Sequence, residues 1–157
     1  DSIYRRMTVI AYEDIGLANP SVGAHVQAAT EAAVKLGLPE ARIPLATAVV
    51  EMCLSDKSNS AYKALDKAIA TIHDGKTGAI PNHLKDAHYA GAATLGHVGY
   101  KYPHDSPIGT FGGWVQQQYL PDELVGTEFY QPVIAGEEKR MAAIYEKLKA
   151  FRKETKS

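Results

Sequence analysis

The chain reads as a series of amphipathic helices punctuated by glycine, proline and capping residues. Ile3, Met7, Ile10 and Ala11 share one helical face, which predicts a helix from about Ser2 to Glu13, stopped at Gly16. Glu13 and Asp14 fall at its C-terminal end, where the helix dipole disfavours negative charge, so both are expected to find cationic or backbone partners. Asn19-Pro20 predicts the next start, with Asn as N-cap and Pro in the first turn. Val22, Val26, Ala29, Ala33 and Leu36 form its stripe, and Gly37 its end. A third helix opens at Pro39-Glu40. From Ile43 to Leu54 it is apolar almost all round, broken only by Pro44, Thr47 and Glu51. A helix apolar on every side is predicted to be the buried central one. Pro44 lies within the first two turns, where proline costs least.

Ser58 or Asn59 caps a fourth helix whose stripe is Tyr62, Leu65, Ile69 and Ile72, and Gly75 closes it. Short joints between helices two to four predict antiparallel neighbours, and Ala28, Ala29, Ala32, Ala33, Ala46 and Ala48 would let their axes approach closely. Pro81-Asn82-His83-Leu84 predicts a short helix reaching about Thr94. From Gly96 to Gly136 the pattern is irregular but rich in aromatics: Tyr100, Tyr102, Phe111, Trp114, Tyr119, Phe129 and Tyr130. A disordered linker would lack that content, so an ordered loop packed on the helices is expected. The last helix follows Gly136. Glu137 and Glu138 lie in its first turn and Lys147, Lys149, Arg152 and Lys153 near its end, as the dipole favours. Met141, Ile144, Tyr145, Leu148 and Phe151 form its stripe. The expectation is an all-α helical bundle in one domain spanning residues 1–157, with one long aromatic and Gly-rich loop.

Composition narrows the function. A formal net charge of −1 argues against a stand-alone DNA binder, because phosphate neutralisation supplies most of that affinity. Cys53 is the single cysteine, which excludes an internal disulfide; its apolar neighbours predict a small buried hydrophobe and a reducing compartment. No segment has the form of a signal peptide or a membrane span. The start at Asp1, already inside a helical pattern and without Met, reads as a piece of a longer chain.

Candidate chemistry is sparse. Gly75-Lys76-Thr77 lacks the earlier glycine of a phosphate loop, since position 70 is Ala, and it follows a helix rather than a strand. His25, His73, His83, His88, His97 and His104 show no metal-ligand spacing. His104-Asp105 has no nucleophile elbow to serve, and is expected to fix the loop: the carboxylate on backbone N–H groups, the imidazole on a helix carbonyl. Tyr100, Tyr102, Trp114 and Tyr119 near Lys101 could stack nucleobases, pin the loop on the core, or anchor an interface. No catalytic, cofactor-binding or metal residue is assigned. The candidate structural and interface residues are Tyr102, His104, Asp105, Trp114, Tyr119 and Pro121.

An ordered set of phrases carries a resemblance. Arg5-Arg6-Met7 leading to Glu13-Asp14-Ile15-Gly16-Leu17-Ala18-Asn19-Pro20, then Lys57-Ser58-Asn59-Ser60-Ala61-Tyr62, Pro81 with His83-Leu84, Tyr102-Pro103-His104-Asp105, Gln118-Tyr119-Leu120-Pro121, and Phe129-Tyr130 with Pro132, Gly136 and Glu138 together resemble the C-terminal part of the RarA/MgsA family. These are replication-associated recombination AAA+ ATPases, relatives of the Werner-helicase-interacting protein. The resemblance implies a non-catalytic, clamp-loader-type oligomerisation domain that holds its parent as a homotetramer. It implies a parent that uses ATP and Mg, acts on DNA at replication forks with single-strand-binding protein, and works in the bacterial cytoplasm at the nucleoid. The fragment itself would carry no cofactor and no catalysis. The alternative is a docking module that binds single-stranded DNA or a replication protein through residues 100–119. Arg5 and Arg6 match the family's paired arginines after its helical lid. Ile108 to Val115 is more glycine-rich and aromatic than the family pattern.

Overall fold

The computed structural model describes residues 2–105 and 114–154. Among them are five α-helices and no strand: α1 (Ser2–Ile10), α2 (Val22–Leu36), α3 (Arg42–Leu54), α4 (Ser60–His73) and α5 (Glu138–Glu154). The all-helical class follows the sequence pattern. No helix among the described residues is long and apolar enough to cross a membrane. The chain divides into two compact units, Asp1–Ala68 with Phe129–Lys147 and Ile69–Glu128 with Leu148–Ser157.

In the first unit α1 runs on as a π turn, Ala11–Ile15, then a 3-10 turn, Gly16–Ala18. The Gly16 N–H donates to the Ala11 carbonyl and the chain turns away at φ 47°, a conformation that glycine tolerates best. Ala11 and Ile15 both face inward. They join Met7, Val22, Val26, Ala29, Ala48 and Met52 in one core, with Ile10 and Leu45 packed against it. Each fully buried aliphatic side chain, such as Ile15 or Val26, contributes about 1.5–3 kcal/mol. α2 and α3 pack side by side.

Several sequence expectations change here. Asn19 does not cap α2. Its carbonyl accepts the Val22 N–H at 3.1 Å, while its side-chain amide donates to Ser55 Oγ at 3.0 Å, tying the turn to the end of α3. Glu13 and Asp14 are exposed, and neither carboxylate has a hydrogen bond or ion pair among the described residues. The π turn tolerates them by holding them in solvent. α3 is not the buried centre: only Ala48 and Met52 are buried, because α2 covers one side of it. Cys53 is exposed with the uncovered side. Leu36 leaves its stripe for solvent, as do Tyr62, Leu65, Ile69 and Ile72 of α4.

The second unit is built from short turns, the 3-10 pieces Asn82–Leu84, Pro103–Asp105 and Asp122–Leu124. The helix predicted from Pro81 to Thr94 does not form. The Asp86 carboxylate takes the His88 N–H at 2.9 Å, a local turn that competes with helix, and Gly91 sits at φ 94°. That bond from the His88 amide also holds the Asp86 carboxyl below the usual carboxylate range. Residues 106–113, most of the glycine-rich Ile108–Val115 run, lie outside the described residues.

Candidate functional site: a buried junction and an outward apolar face

Three segments that carry the family phrases meet in the first unit. The turn between α3 and α4 is anchored first: the Ser58 N–H donates to the Asp14 carbonyl at 2.8 Å. Gly16 makes this approach possible, since a Cβ there would stand 2.6 Å from the Ser58 carbonyl oxygen. Lys57 closes the end of α3, its Nζ donating to the Met52 carbonyl at 2.9 Å. Ser58 Oγ accepts the Ser60 N–H at 3.3 Å, a local turn just ahead of α4; Asn59 takes the cap position, its carbonyl accepting the Lys63 N–H at 2.9 Å.

The start of α5 joins the same place. The Glu137 N–H donates to the Ala18 carbonyl at 2.9 Å, and Gly136, at φ 48°, lies so close that any Cβ would collide with the Ala18 carbonyl. Glu138 then enters the interior, with no residual exposure. Its Oε1 accepts hydrogen bonds from Ser60 Oγ at 2.5 Å and from the Tyr130 hydroxyl at 2.7 Å. The Tyr130 ring is set edge-on to Tyr145, 5.3 Å between centroids.

Burial by itself would push the Glu138 carboxyl up. The hydroxyl bonds from Ser60 and Tyr130, with the Ser58 hydroxyl and the Val133 backbone close by, outweigh it and hold the group below the usual carboxylate range. For Tyr130 burial and the bond to Glu138 act together and raise the phenol to about 12. At neutral pH the site is therefore one carboxylate receiving hydroxyl protons. Its hydrogen bonds tie the start of α4 and the start of α5 to the segment that holds Tyr130. A second polar clamp joins α2 to α3: His25 Nδ1 lies 2.8 Å from Glu51 Oε1.

The outward side of α3 is the opposite kind of surface. Ile43, Val50 and Leu54 recur at helical spacing and are 65%, 57% and 82% exposed, with Thr47, Ala46 and Cys53 between them. Together they form an apolar face that α2 does not cover.

The six residues singled out from the sequence fall in the second unit, and none belongs to the junction. Trp114 is half-buried, its ring edge-on to Phe151 at 5.6 Å and under the Arg152 guanidinium at 5.3 Å. Tyr102 lies against His104, 5.1 Å between ring centroids. The His104 imidazole is exposed and makes no tie to a helix carbonyl; the Asp105 N–H donates to the Tyr102 carbonyl instead. Tyr119 accepts a bond from Gln117, and Pro121 precedes the 3-10 turn that follows it. Among the described residues no three His, Cys, Asp or Glu side chains gather as a metal site. Ser60, Tyr130 and Glu138 were missed as a group by sequence reasoning, although each lies in or beside a phrase already singled out.

The chain matches the family described as MgsA AAA+ ATPase C terminal over residues 1–149. It is 54% identical over 150 residues to the replication-associated recombination protein A of Bacillus subtilis, covering 94% of this chain and 35% of that protein. It is 34% identical over 152 residues to the protein of the same name from Coxiella burnetii, covering 96% and 33%. With that of Escherichia coli K12 it shares 31% over 139 residues, covering 87% and 30%. The chain thus spans about a third of the length of these curated relatives.

Proposed function

Since the chain belongs to the MgsA AAA+ ATPase C-terminal family, we propose that it is the non-catalytic oligomerisation domain of such an ATPase, and that it holds its parent as a homotetramer. The observation that carries this reading is the outward face of α3, apolar and uncovered among the described residues.

The energetics favour a second copy as its cover. Burying Ile43, Val50 and Leu54 is worth about 1.5–3 kcal/mol each. A two-fold contact uses each residue twice, so six side chains contribute roughly 9–18 kcal/mol. Association costs about 4–15 kcal/mol in lost freedom. The face is therefore near the threshold for a stable pair, and further surface decides the final state. The exposed α4 residues Tyr62 and Leu65 of the same unit supply further surface.

Assembly would bring several ATPase modules together and raise affinity for a shared substrate through effective concentration. The relatives are replication-associated recombination proteins, and with the family resemblance this supports the further proposal that the substrate is DNA at replication forks, that the parent uses ATP and Mg with single-strand-binding protein as a partner, and that it works in the bacterial cytoplasm at the nucleoid. The buried junction has a supporting role. It fixes the turn from which α3 and α4 leave, and so the placement of the contact faces.

Sedimentation equilibrium across a concentration series tests the reading. The wild-type chain should associate, and Val50→Asp should reduce it to monomer with its helical content unchanged. A chain that stays monomeric at every concentration, or a Val50→Asp variant of unaltered mass, would overturn it.

A further inference from the structure

α1 carries its charge in two blocks. Arg5 and Arg6 lie toward its N-terminal end, and Glu13 and Asp14 lie in the π turn that continues its C-terminal end. The helix dipole favours the reverse order. All four side chains are exposed, and none of the four charged groups has an ion pair or hydrogen bond among the described residues. They also share one side of the helix. Met7, Ala11 and Ile15 are buried. Two residues turn an α-helix by about 200°, so Arg5, Val9 and Glu13, each two positions earlier, point away from the core. Arg6 and Asp14 flank that line. Val9 lies between the blocks, and a groove of about 540 Å³ runs past it, lined by Ser2, Ile3, Arg5, Arg6, Met7 and Val9. α4 reinforces the acidic end: the Tyr62 phenol is raised by its hydrogen bond to Asp66, by the Asp66 charge and by that of Glu13.

A helix with cations at one end of its outer face and carboxylates at the other is complementary to itself turned end for end. We infer that this face is a contact between two copies of the chain, their α1 helices antiparallel about a two-fold axis beside Val9. In that register Arg5 of each copy faces Asp14 of the other, and Arg6 faces Glu13. The match is possible because the blocks stand the same distance apart on both helices, about 12 Å at 1.5 Å per residue. The contact is isologous, so every ion pair is made twice. It also sets the acidic end of each helix beside the basic end of the other, which relieves the charge order that the dipole disfavours within one chain. A partner of one sign, such as a nucleic acid or an acidic peptide, would satisfy one block and be repelled by the other. Exposed ion pairs are individually weak, so this contact joins pairs that the α3 face has already formed, and to that extent rests on the function proposed above. One chain then carries two different isologous contacts, which is what a closed tetramer of two-fold symmetry uses.

Charge exchange tests the contact. Arg5→Glu with Arg6→Glu makes the outer face of α1 all acidic, and Glu13→Arg with Asp14→Arg makes it all basic. In sedimentation equilibrium at low salt each double variant alone should stop at the pair, its tetramer about tenfold or more weaker than that of wild type. An equimolar mixture of the two restores every opposition of charge and should recover the wild-type mass. The quadruple variant that carries both exchanges should do the same. Salt at about 1 M, where the Debye length is about 3 Å, should take the wild-type tetramer back to pairs. Melting curves check that the variants keep the fold, all four positions being exposed. Double variants of wild-type mass, or a mixture no heavier than its components, would overturn the inference. A mixture that regains mass while Val50→Asp alters nothing would uphold the α1 contact and remove the α3 reading. Monomeric Val50→Asp beside charge variants of wild-type mass would do the opposite.

Discussion

Glu138 and Leu54 occupy each other's expected places. The carboxylate has no exposure and the leucine keeps 82% of its own. The difference lies in partners. Glu138 is met at Oε1 by two hydroxyls from separate segments, which offset part of the hydration it gives up, while Oε2 has no hydrogen-bond partner among the described residues. Leu54 lies on the side of α3 that α2 does not reach, and nothing among the described residues replaces its water. Hydropathy reports the tendency of a group to leave water. The segments that arrive decide whether it does so inside the chain.

The comparison can be broken first at Glu138. Glu138→Ala leaves the Ser60 and Tyr130 hydroxyls buried without their acceptor, and should destabilise the fold by about 3 kcal/mol in urea unfolding. Glu138→Gln keeps an acceptor oxygen and should cost less; equal losses in the two variants would mean that packing volume, not hydrogen bonding, holds the junction. Gly136→Ala forces a Cβ onto the Ala18 carbonyl at φ 48°, and a loss of about 2 kcal/mol is expected from that strain.

Two valines give the next contrast. Val26→Ala opens a cavity in the core and should cost about 2 kcal/mol. Val50→Ala should change the stability of the dissociated chain by under about 0.5 kcal/mol, while weakening assembly. Equal effects of the two on the dilute chain would show that α3 is covered on both sides.

The smallest effects come from pH. The folded Glu138 carboxyl titrates below its unfolded value, so the unfolded chain binds more protons in acid. The stability it provides is complete above the unfolded carboxylate range and falls as pH drops through the folded value. Tyr130 has the reverse sign: raised to about 12, it contributes fully below about pH 10, and that contribution is lost as pH climbs toward 12. Melting temperatures of wild type and Tyr130→Phe should diverge least at alkaline pH. A constant difference from pH 7 to 11 would count against the bond to Glu138.

Local chemistry was legible in the sequence, and partners were not. Gly37 and Gly75 end α2 and α4 near where periodicity placed them, because a left-handed residue stops a helix whatever surrounds it. The burial of α3 was misread for the opposite reason. A run such as Val49-Val50-Glu51-Met52-Cys53-Leu54 looks the same whether its cover is this chain or another. Asn19 was misassigned because its amide prefers Ser55, 36 residues away, to its own helix. The link between Ser60 and Glu138 spans 78 residues and has no periodic signature. The only trace of it was that Ser58-Asn59-Ser60 and Tyr130 with Glu138 appear among the family's phrases. The candidate residues from Tyr102 to Pro121 stood out because aromatics are conspicuous, and they fell in a unit of short turns whose geometry depends on bonds such as that of His83 Nε2 with the Gln118 carbonyl, which no pattern announces.

Cys53 gives the outward face of α3 a further use. It is the chain's single thiol, and it is exposed between the apolar residues of that face. A maleimide or disulfide dye therefore labels one site per chain with no engineering. The rate of that labelling, followed as the chain is diluted, reads how much of the face is covered at each concentration.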